Sequence, residues 1–363
     1  MFSAAELVSP APELTAEEME RYSRHLLLTE VGVLGQRRLK NAKVLVIGAG
    51  GLGSPVISYL AAAGVGRIAI VDDDAVDVSN LQRQVLHSTG SVGAPKVSSA
   101  AAAVAALNPL VDVEPLELRL DASNALELFG RFDLVLDGSD NFATRYLVSD
   151  ACEILAKPLV WGSILRFDGQ VSVFWAGHGP TYRDIFPEPP AAETVPACSE
   201  AGVFGMLCGV IGSVMAAEAV KLITGVGKPL LGRLQIHDAL AGSWRTIAVA
   251  ADPEREPVTG LIDYAEFCGV AAPAPVAVEL ASLPAGSFAL IDVRSPSETV
   301  LGTVPGAILL PKAELDAGNF GALPAGTDLV LFCRTGLRSA AAALALRAAG
   351  FDRAFSVAGG LEP

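Results

Sequence analysis

Cysteine is scarce and unpaired in this 363-residue chain: Cys152, Cys198, Cys208, Cys268 and Cys333, with no CxxC spacing among them. An odd, scattered set argues against a disulfide framework and suits buried or reactive thiols in a reducing cytoplasm. Basic residues are outnumbered, 26 Lys and Arg against 40 Asp and Glu for a net charge of -14, and no basic block occurs. That balance argues against nucleic acid as a partner, because such binding works by neutralising phosphates. The first 25 residues, MFSAAELVSPAPELTAEEMERYSRH, contain no apolar core of the kind a secretion signal needs. The most lipid-like segment, 201–217, is marginal in length for a span and rich in glycine, so it reads as a buried helix with a preceding loop. No membrane partner is expected.

What is present is globular: 51% of residues are hydrophobic and 18% charged, with enough length for two domains. Residues 13–40 read as helical, with Thr15 as a cap. Strand and helix patterns then alternate: strands at 43–47 and 67–71, a helix over 92–107, strands at 111–118 and 131–137, a helix over 141–156, and a strand at 158–162. This is the signature of a doubly wound, Rossmann-like α/β fold with a mostly parallel sheet. Antiparallel strands are expected at 170–175, 234–237 and 244–248, with a helix around 212–224. The first domain spans 1–268, a Pro/Ala linker covers 269–278, and a small α/β domain over 279–363 carries strands at 288–293, 328–332 and 354–357 and a helix from about Ser339.

Residues 44–83 read VLVIGAGGLGSPVISYLAAAGVGRIAIVDDDAVDVSNLQR. A strand meets a loop bearing Gly48, Gly50, Gly51 and Gly53, a helix follows, and a second strand ends at Asp72. Glycines let backbone N–H groups approach phosphates, the helix start adds oriented donors, and Asp72 can hold ribose hydroxyls. Alone, this pattern also suits NAD. A triphosphate carries more charge and calls for cations and a magnesium site. Downstream stand Arg83, Lys96 and the run DGSDNFATR, in which Asp140 and Asn141 lie just past a strand end. Singly, Arg83 and Lys96 read equally well as surface charges, and Asp140-Asn141 as a helix cap. An NAD enzyme leaves Arg83, Lys96, Asp140 and Cys333 without a task, and a binding scaffold without catalysis has no need of them.

The combined run GAGGLGS…VDDDAVDVSNLQRQVLHS…VGAPKV…DGSDNFATR resembles the MoeB/ThiF adenylyltransferases, relatives of ubiquitin-activating enzymes, over about residues 17–268. The resemblance implies that the Gly-Gly carboxylate of a ubiquitin-like sulfur-carrier protein attacks ATP, giving an acyl-adenylate and pyrophosphate. By position it implies Mg-ATP binding by Gly51, Asp72, Ser79, Asn80, Leu81, Gln82, Arg83, Lys96, Asp140 and Asn141, with magnesium on Asp140. Arg24 matches an arginine that reaches the neighbouring subunit's phosphates, which implies a homodimer. Cys198, in VPACSEAGV, matches a loop cysteine near the adenylated tail, whereas Cys208 reads as a small buried hydrophobe. Many members hold structural zinc with two CxxC pairs. Here Thr181-Tyr-Arg-Asp184 stands at the first and Cys268 alone near the second, so no zinc is expected, as in the rhodanese-fused MoeZ type.

In FCRTGLRS, Cys333 stands at a strand end before a helix, with Arg334, Thr335, Gly336, Leu337 and Arg338 forming the loop. Curled N–H groups and a helix start favour a thiolate there, and the arginines would stabilise a persulfide anion. The loop is one residue shorter than those that hold phosphate in phosphatases, a size that suits sulfur. With LIDVRSPSE and VPGAI, the segment resembles a rhodanese domain. Two departures are Thr303, where histidine is common, and GGLEP, which lacks a usual aromatic neighbour. Together the resemblances imply adenylation followed by sulfur transfer from a Cys333 persulfide, loaded by a donor such as a cysteine desulfurase or thiosulfate. Molybdopterin, thiamine, cysteine and tRNA thiolation routes all use this chemistry.

Overall fold

Thr15 opens the first helix, α1 (Ala16–Arg21), through a reciprocal capping box with Glu18. Two more short helices follow, α2 (Ser23–Leu26) and α3 (Gly32–Asn41), so the helical stretch at 13–40 comes in three pieces. The computed structural model describes residues 7–190, 202–268, 277–278, 288–300, 302–320, 323–324, 326–334 and 336–361. Cys198, Thr335 and most of the expected linker lie outside the described residues.

The apolar run Lys43–Ile47 forms β1, buried from Val44 onward, and it feeds the glycine loop and α4 (Gly53–Ala63). Next come β2 (Arg67–Val71), α5 (Lys96–Leu107), β3 (Asp112–Leu116), α6 (Ala125–Gly130), β4 (Leu134–Asp137), α7 (Phe142–Ile154) and β5 (Leu159–Leu165). The helix expected over 92–107 begins only at Lys96. Gly93 sits at φ 85, and Pro95, at the N-cap position, has an extended ψ of 134. The strand expected at 131–137 begins at Leu134 because Arg131 closes α6.

β1 lies between β2 and β4, and β1 to β5 run parallel. Antiparallel β6 (Asp168–Phe174), β7 (Arg233–Asp238) and β8 (Ser243–Ala248) complete an eight-stranded sheet in the order 3-2-1-4-5-6-7-8. The strand order reverses between β1 and β4, and doubly wound sheets leave their ligand crevice at that point. Ile47 and Asp137 are paired there in register. The apolar segment flagged in the sequence forms α8 (Gly205–Thr224), a helix of membrane-spanning length and composition that packs into the core of the protein through Leu207, Ile211, Met215 and Leu222. Its contact with α4 draws on close approach: a Cβ on Gly212 would collide with Pro55. A single turn, α9 (Tyr264–Phe267), ends this part.

The chain divides into two compact units, the first through Val270 and the second from Ala271. The second holds a five-stranded parallel sheet in the order 11-10-12-13-9, from β9 (Ala277–Val278), β10 (Phe288–Asp292), β11 (Ile308–Leu309), β12 (Asp328–Phe332) and β13 (Ala354–Val357). Its helices are α10 (Pro296–Thr299), α11 (Lys312–Asp316) and α12 (Leu337–Ala348). Each unit has its own core: Leu45, Ile57, Leu60 and Ile70 are among the buried residues of the first, and Ile291, Leu331, Ala342 and Leu346 of the second.

Candidate functional site

A cleft of about 860 Å3 opens at the carboxyl ends of β1, β2 and β4, within the size range of small-molecule sites. Of the residues singled out in the sequence, Gly48, Gly50, Gly51, Asp72, Arg83, Lys96, Asp140 and Asn141 line it. Gly48 adopts φ 88, a left-handed turn that glycine enters without strain. Gly53 does not line the cleft and serves packing instead, since a Cβ there would collide with the Gly48 carbonyl. Cys208, fully buried in α8, lies beneath the loop, and a Cβ on Gly51 would come within 2.8 Å of its sulfur.

Ser79, Asn80, Leu81 and Gln82 stay outside the cleft wall. Ser79 and Asn80 form a 3-10 turn capped by Asp77, and this turn presents Arg83, whose Nη1 donates to the Ser79 carbonyl at 3.1 Å. Gln82 abuts the start of α8, where a Cβ on Gly205 would come within 2.5 Å of the Gln82 carbonyl. Arg24 is exposed on α2 and does not line the cleft of its own chain.

Lys96, on the first turn of α5, is buried, and its ammonium lies 2.6 Å from Asp74 and 4.0 Å from Asp72. Asp72 accepts from the Ala49 N–H at 2.7 Å and the Asp74 N–H at 2.9 Å. Burial pushes the Asp72 carboxyl above its ordinary range, against the pull of Lys96 and these two donors. On the opposite wall Asn141 caps α7, accepting from the Thr144 N–H at 2.9 Å. Asp140 is exposed at the rim. Asp137 is completely buried: one oxygen accepts from the Ser139 N–H at 2.9 Å and the other has no partner. Burial raises its pKa, and Asp140 adds to that direction.

Arg145 is a cleft residue not chosen from the sequence. It is buried, donates to the Ser139 carbonyl at 3.3 Å and lies over the Phe142 ring. The signal was its place four residues after the Asn141 cap, on the same helical face. Ile262, Asp263, Tyr264 and Ala265 supply a further wall. That wall is tied to α7. Arg183 grips Asp150 through two bonds of 2.7 Å, and the Tyr264 hydroxyl donates to Asp150 at 2.7 Å. Arg255 reaches Asp184 at 3.0 Å, Glu153 at 2.9 Å and Thr181 at 2.9 Å.

In the second unit Cys333 follows β12 and is fully buried. Gly336, at φ 84, starts α12. The Ser339 hydroxyl lies 3.6 Å from the Cys333 sulfur and 2.9 Å from the Ser356 hydroxyl. The Leu361 N–H donates to the Cys333 carbonyl at 3.0 Å, fastening the loop to the 359–361 turn. Arg338 is held by Glu298 through bonds of 2.8 and 2.6 Å, and Arg334 is exposed. Thr303, standing where histidine is common, donates to Asp292 at 2.7 Å beside Arg294.

This geometry agrees with what the chain resembles. Residues 22–258 match the ThiF family model, and residues 277–363 match the rhodanese-like domain model. A probable adenylyltransferase/sulfurtransferase MoeZ of Mycobacterium tuberculosis is 52% identical over 98% of this chain and 95% of its own length. A sulfur carrier protein adenylyltransferase of Thermus thermophilus is 54% identical over 70% of this chain and 98% of its own. Among solved structures, E. coli MccB with MccA-N7isoASN superposes with a TM-score of 0.60 at 22% identity, over 67% of this chain and 75% of that one, a likeness of fold. The chain therefore belongs to the ThiF family, as an enzyme of the adenylyltransferase/sulfurtransferase kind that joins a ThiF domain to a rhodanese-like domain.

Proposed function

We propose that the first unit adenylates the C-terminal Gly-Gly carboxylate of a ubiquitin-like sulfur-carrier protein and that Cys333 supplies the sulfur that turns it into a thiocarboxylate. The observation that carries this reading is the convergence of the glycine loop, Asp72, Arg83, Lys96 and Asp140 on one cleft, in a ThiF-family chain that also bears a cysteine before a helix start. A carrier carboxylate oxygen attacks the α-phosphorus of ATP, the bond to the bridging oxygen breaks, and pyrophosphate leaves. No protein nucleophile is needed: positioning and fixed charge lower the barrier. The loop N–H groups and the start of α4 take phosphate charge, with Asp72 at the ribose. Arg83 adds a cation, and Lys96 adds a second when it exchanges Asp74 for phosphate.

The donor set fits magnesium. Asp140 presents a carboxylate at the rim, and the partnerless Asp137 oxygen leaves acceptor capacity close behind it. Asp140 would hold the ion, which supplies charge neutralisation on the phosphates. For zinc we read none, because the Arg183–Asp150–Tyr264 and Arg255–Asp184–Glu153 groups occupy the stretches where thiolates would be needed.

In the second step the terminal sulfur of a Cys333 persulfide attacks the acyl carbon and expels AMP, leaving an acyl disulfide. A thiolate, assigned to Cys198, then attacks the Cys333 sulfur and releases the thiocarboxylate. The resulting disulfide is reopened by a cellular thiol, in keeping with a cytoplasmic setting. A cysteine desulfurase or thiosulfate would reload Cys333. A homodimer is part of the reading. Exposed Arg24 shares the N-terminal segment with exposed apolar Met19, Leu27, Leu28 and Val33, on its short helices and the turn between them, a surface suited to a second copy.

Intact mass spectrometry of candidate carriers incubated with the enzyme, Mg-ATP and a sulfur source tests this. An oxygen-to-sulfur mass increase on one carrier, with AMP and pyrophosphate released, is the expected result. Release of neither pyrophosphate nor AMP with any carrier would overturn the assignment, and an adenylate without thiocarboxylate would overturn its second half.

A further inference from the structure

The glycine loop is held from behind by a side chain that no step above uses. His87 is 7% exposed, and its Nε2 lies 2.9 Å from the Ala49 carbonyl. A carbonyl only accepts, so Nε2 carries the ring proton, and Nδ1 accepts from the Ser99 hydroxyl at 2.9 Å. Burial lowers the pKa of the imidazole and nearby Lys96 adds to that, against the raising pull of the Ala49 bond and Asp72; the net direction favours the neutral ring that this chain of bonds uses. Ser99 stands one turn after Lys96 on α5, so one helix supplies both the cation of the cleft and the prop for His87.

Ala49 is thus gripped on both sides, its N–H by Asp72 and its carbonyl by His87. The described peptide bonds are trans, and in a trans peptide the carbonyl and the N–H point in opposite directions. Turning the Ala49 carbonyl onto buried His87 therefore turns the Gly50 N–H the other way, toward the cleft that Gly48, Gly50 and Gly51 line. Flanked by glycines, the Ala49–Gly50 peptide has little intrinsic resistance to flipping. A flipped peptide would aim a carbonyl oxygen, rather than an N–H, at the phosphates.

We infer that His87, braced by Ser99, is a positioning residue for the nucleotide: it holds the Ala49–Gly50 peptide with its N–H facing the polyphosphate. The inference rests on the adenylation reading above. It predicts a defect confined to phosphate recognition. His87→Phe keeps a ring and removes both nitrogens. Titration calorimetry of the full chain should show ATP binding weakened about 10-fold, the loss of a charge-assisted hydrogen bond, with adenosine binding unchanged. In pyrophosphate exchange the KM for ATP should rise more than kcat falls. His87→Gln, whose amide can donate to the Ala49 carbonyl, should recover most of the affinity.

Ser99→Ala removes only the brace and should give a smaller loss of the same kind, which keeps the test available where the ring substitution unfolds the chain. ATP affinity like the wild type in a folded His87→Phe or Ser99→Ala variant overturns the inference, as does an equal loss for adenosine. A wild-type chain that binds no ATP overturns the adenylation reading itself, and the inference with it.

Discussion

The two cations of the cleft are held differently, and the difference governs how each variant should behave. Lys96 is buried against Asp74 and Asp72, whereas Arg83 is half-buried and leans on the Ser79 carbonyl. Lys96→Ala should therefore lower pyrophosphate exchange by roughly 10²–10³-fold, the scale of one lost electrostatic donor, and loosen the Asp72 region as well. Arg83→Ala should cost similar activity with little change in melting. Near-normal exchange in both variants would contradict the placement of ATP here. A pH effect belongs to the second unit. The Arg338 guanidinium beside Glu298 pulls its carboxyl down to about 2 from the ordinary 4.5. The folded pKa lies below the unfolded one, so this pair's stabilisation is fully present above about pH 4.5 and is lost as pH falls toward 2. Glu298→Gln should flatten that segment of an acid-denaturation curve. The cleft residues carried on motifs were legible in the sequence: glycines, Asp72, Arg83, Lys96 and Asp140 have recognisable types at recognisable spacings. His87 and Arg145 were not, because a buried histidine and a helical arginine acquire meaning only from the carbonyls they face. Arg338 was legible as a loop cation, but its pairing with Glu298 depends on a contact 40 residues away.

Elements of the first unit are secured by polar clasps as well as by apolar packing. Asp150 is almost wholly buried and relies on Arg183 for its countercharge and on the Tyr264 hydroxyl for a further hydrogen bond. Arg183→Ala leaves that carboxylate uncompensated, a change that typically costs about 3–5 kcal/mol, and it also removes a cation from over the Phe267 ring. Urea unfolding of the full chain should show the loss in the first transition assigned to this unit. A zinc chelator should leave that transition where it was, and a shift on chelation would restore a metal to the account. The glycine loop admits less change still: Gly53→Ala pushes a methyl into the Gly48 carbonyl, so ATP binding should be abolished even in chains that fold. At this scale the parallel core of the fold was readable, since β1, β2 and β12 fall where apolar periodicity and length put them. Boundaries went astray where local chemistry overruled composition. The Ala-rich helix α5 starts late behind Gly93 and Pro95, and β5 runs on to Leu165 because antiparallel β6 pairs with it along its full length.

The whole molecule carries two chemistries on two units with separate hydrophobic cores, so they should be separable by single substitutions. Cys333 is enclosed by its own unit: the Ser339 hydroxyl lies beside its sulfur, and the 359–361 turn is bonded to its carbonyl. Cys333→Ser is close in size and keeps those backbone bonds, so the sheet of the second unit should persist. It removes the only described thiol placed before a helix start, and with it the atom proposed to carry the persulfide. The expected variant is therefore split. Carrier-dependent pyrophosphate exchange should stay within about 2-fold of wild type, a change of no more than roughly 0.4 kcal/mol, because each tenfold is about 1.4 kcal/mol. Thiocarboxylate on the carrier should fall to background, and the acyl-adenylate should accumulate. Mass spectrometry of the carrier reads both quantities in one sample. A matching fall in adenylation would show that the cysteine acts before sulfur transfer, and undiminished thiocarboxylate would show that sulfur reaches the acyl group without Cys333.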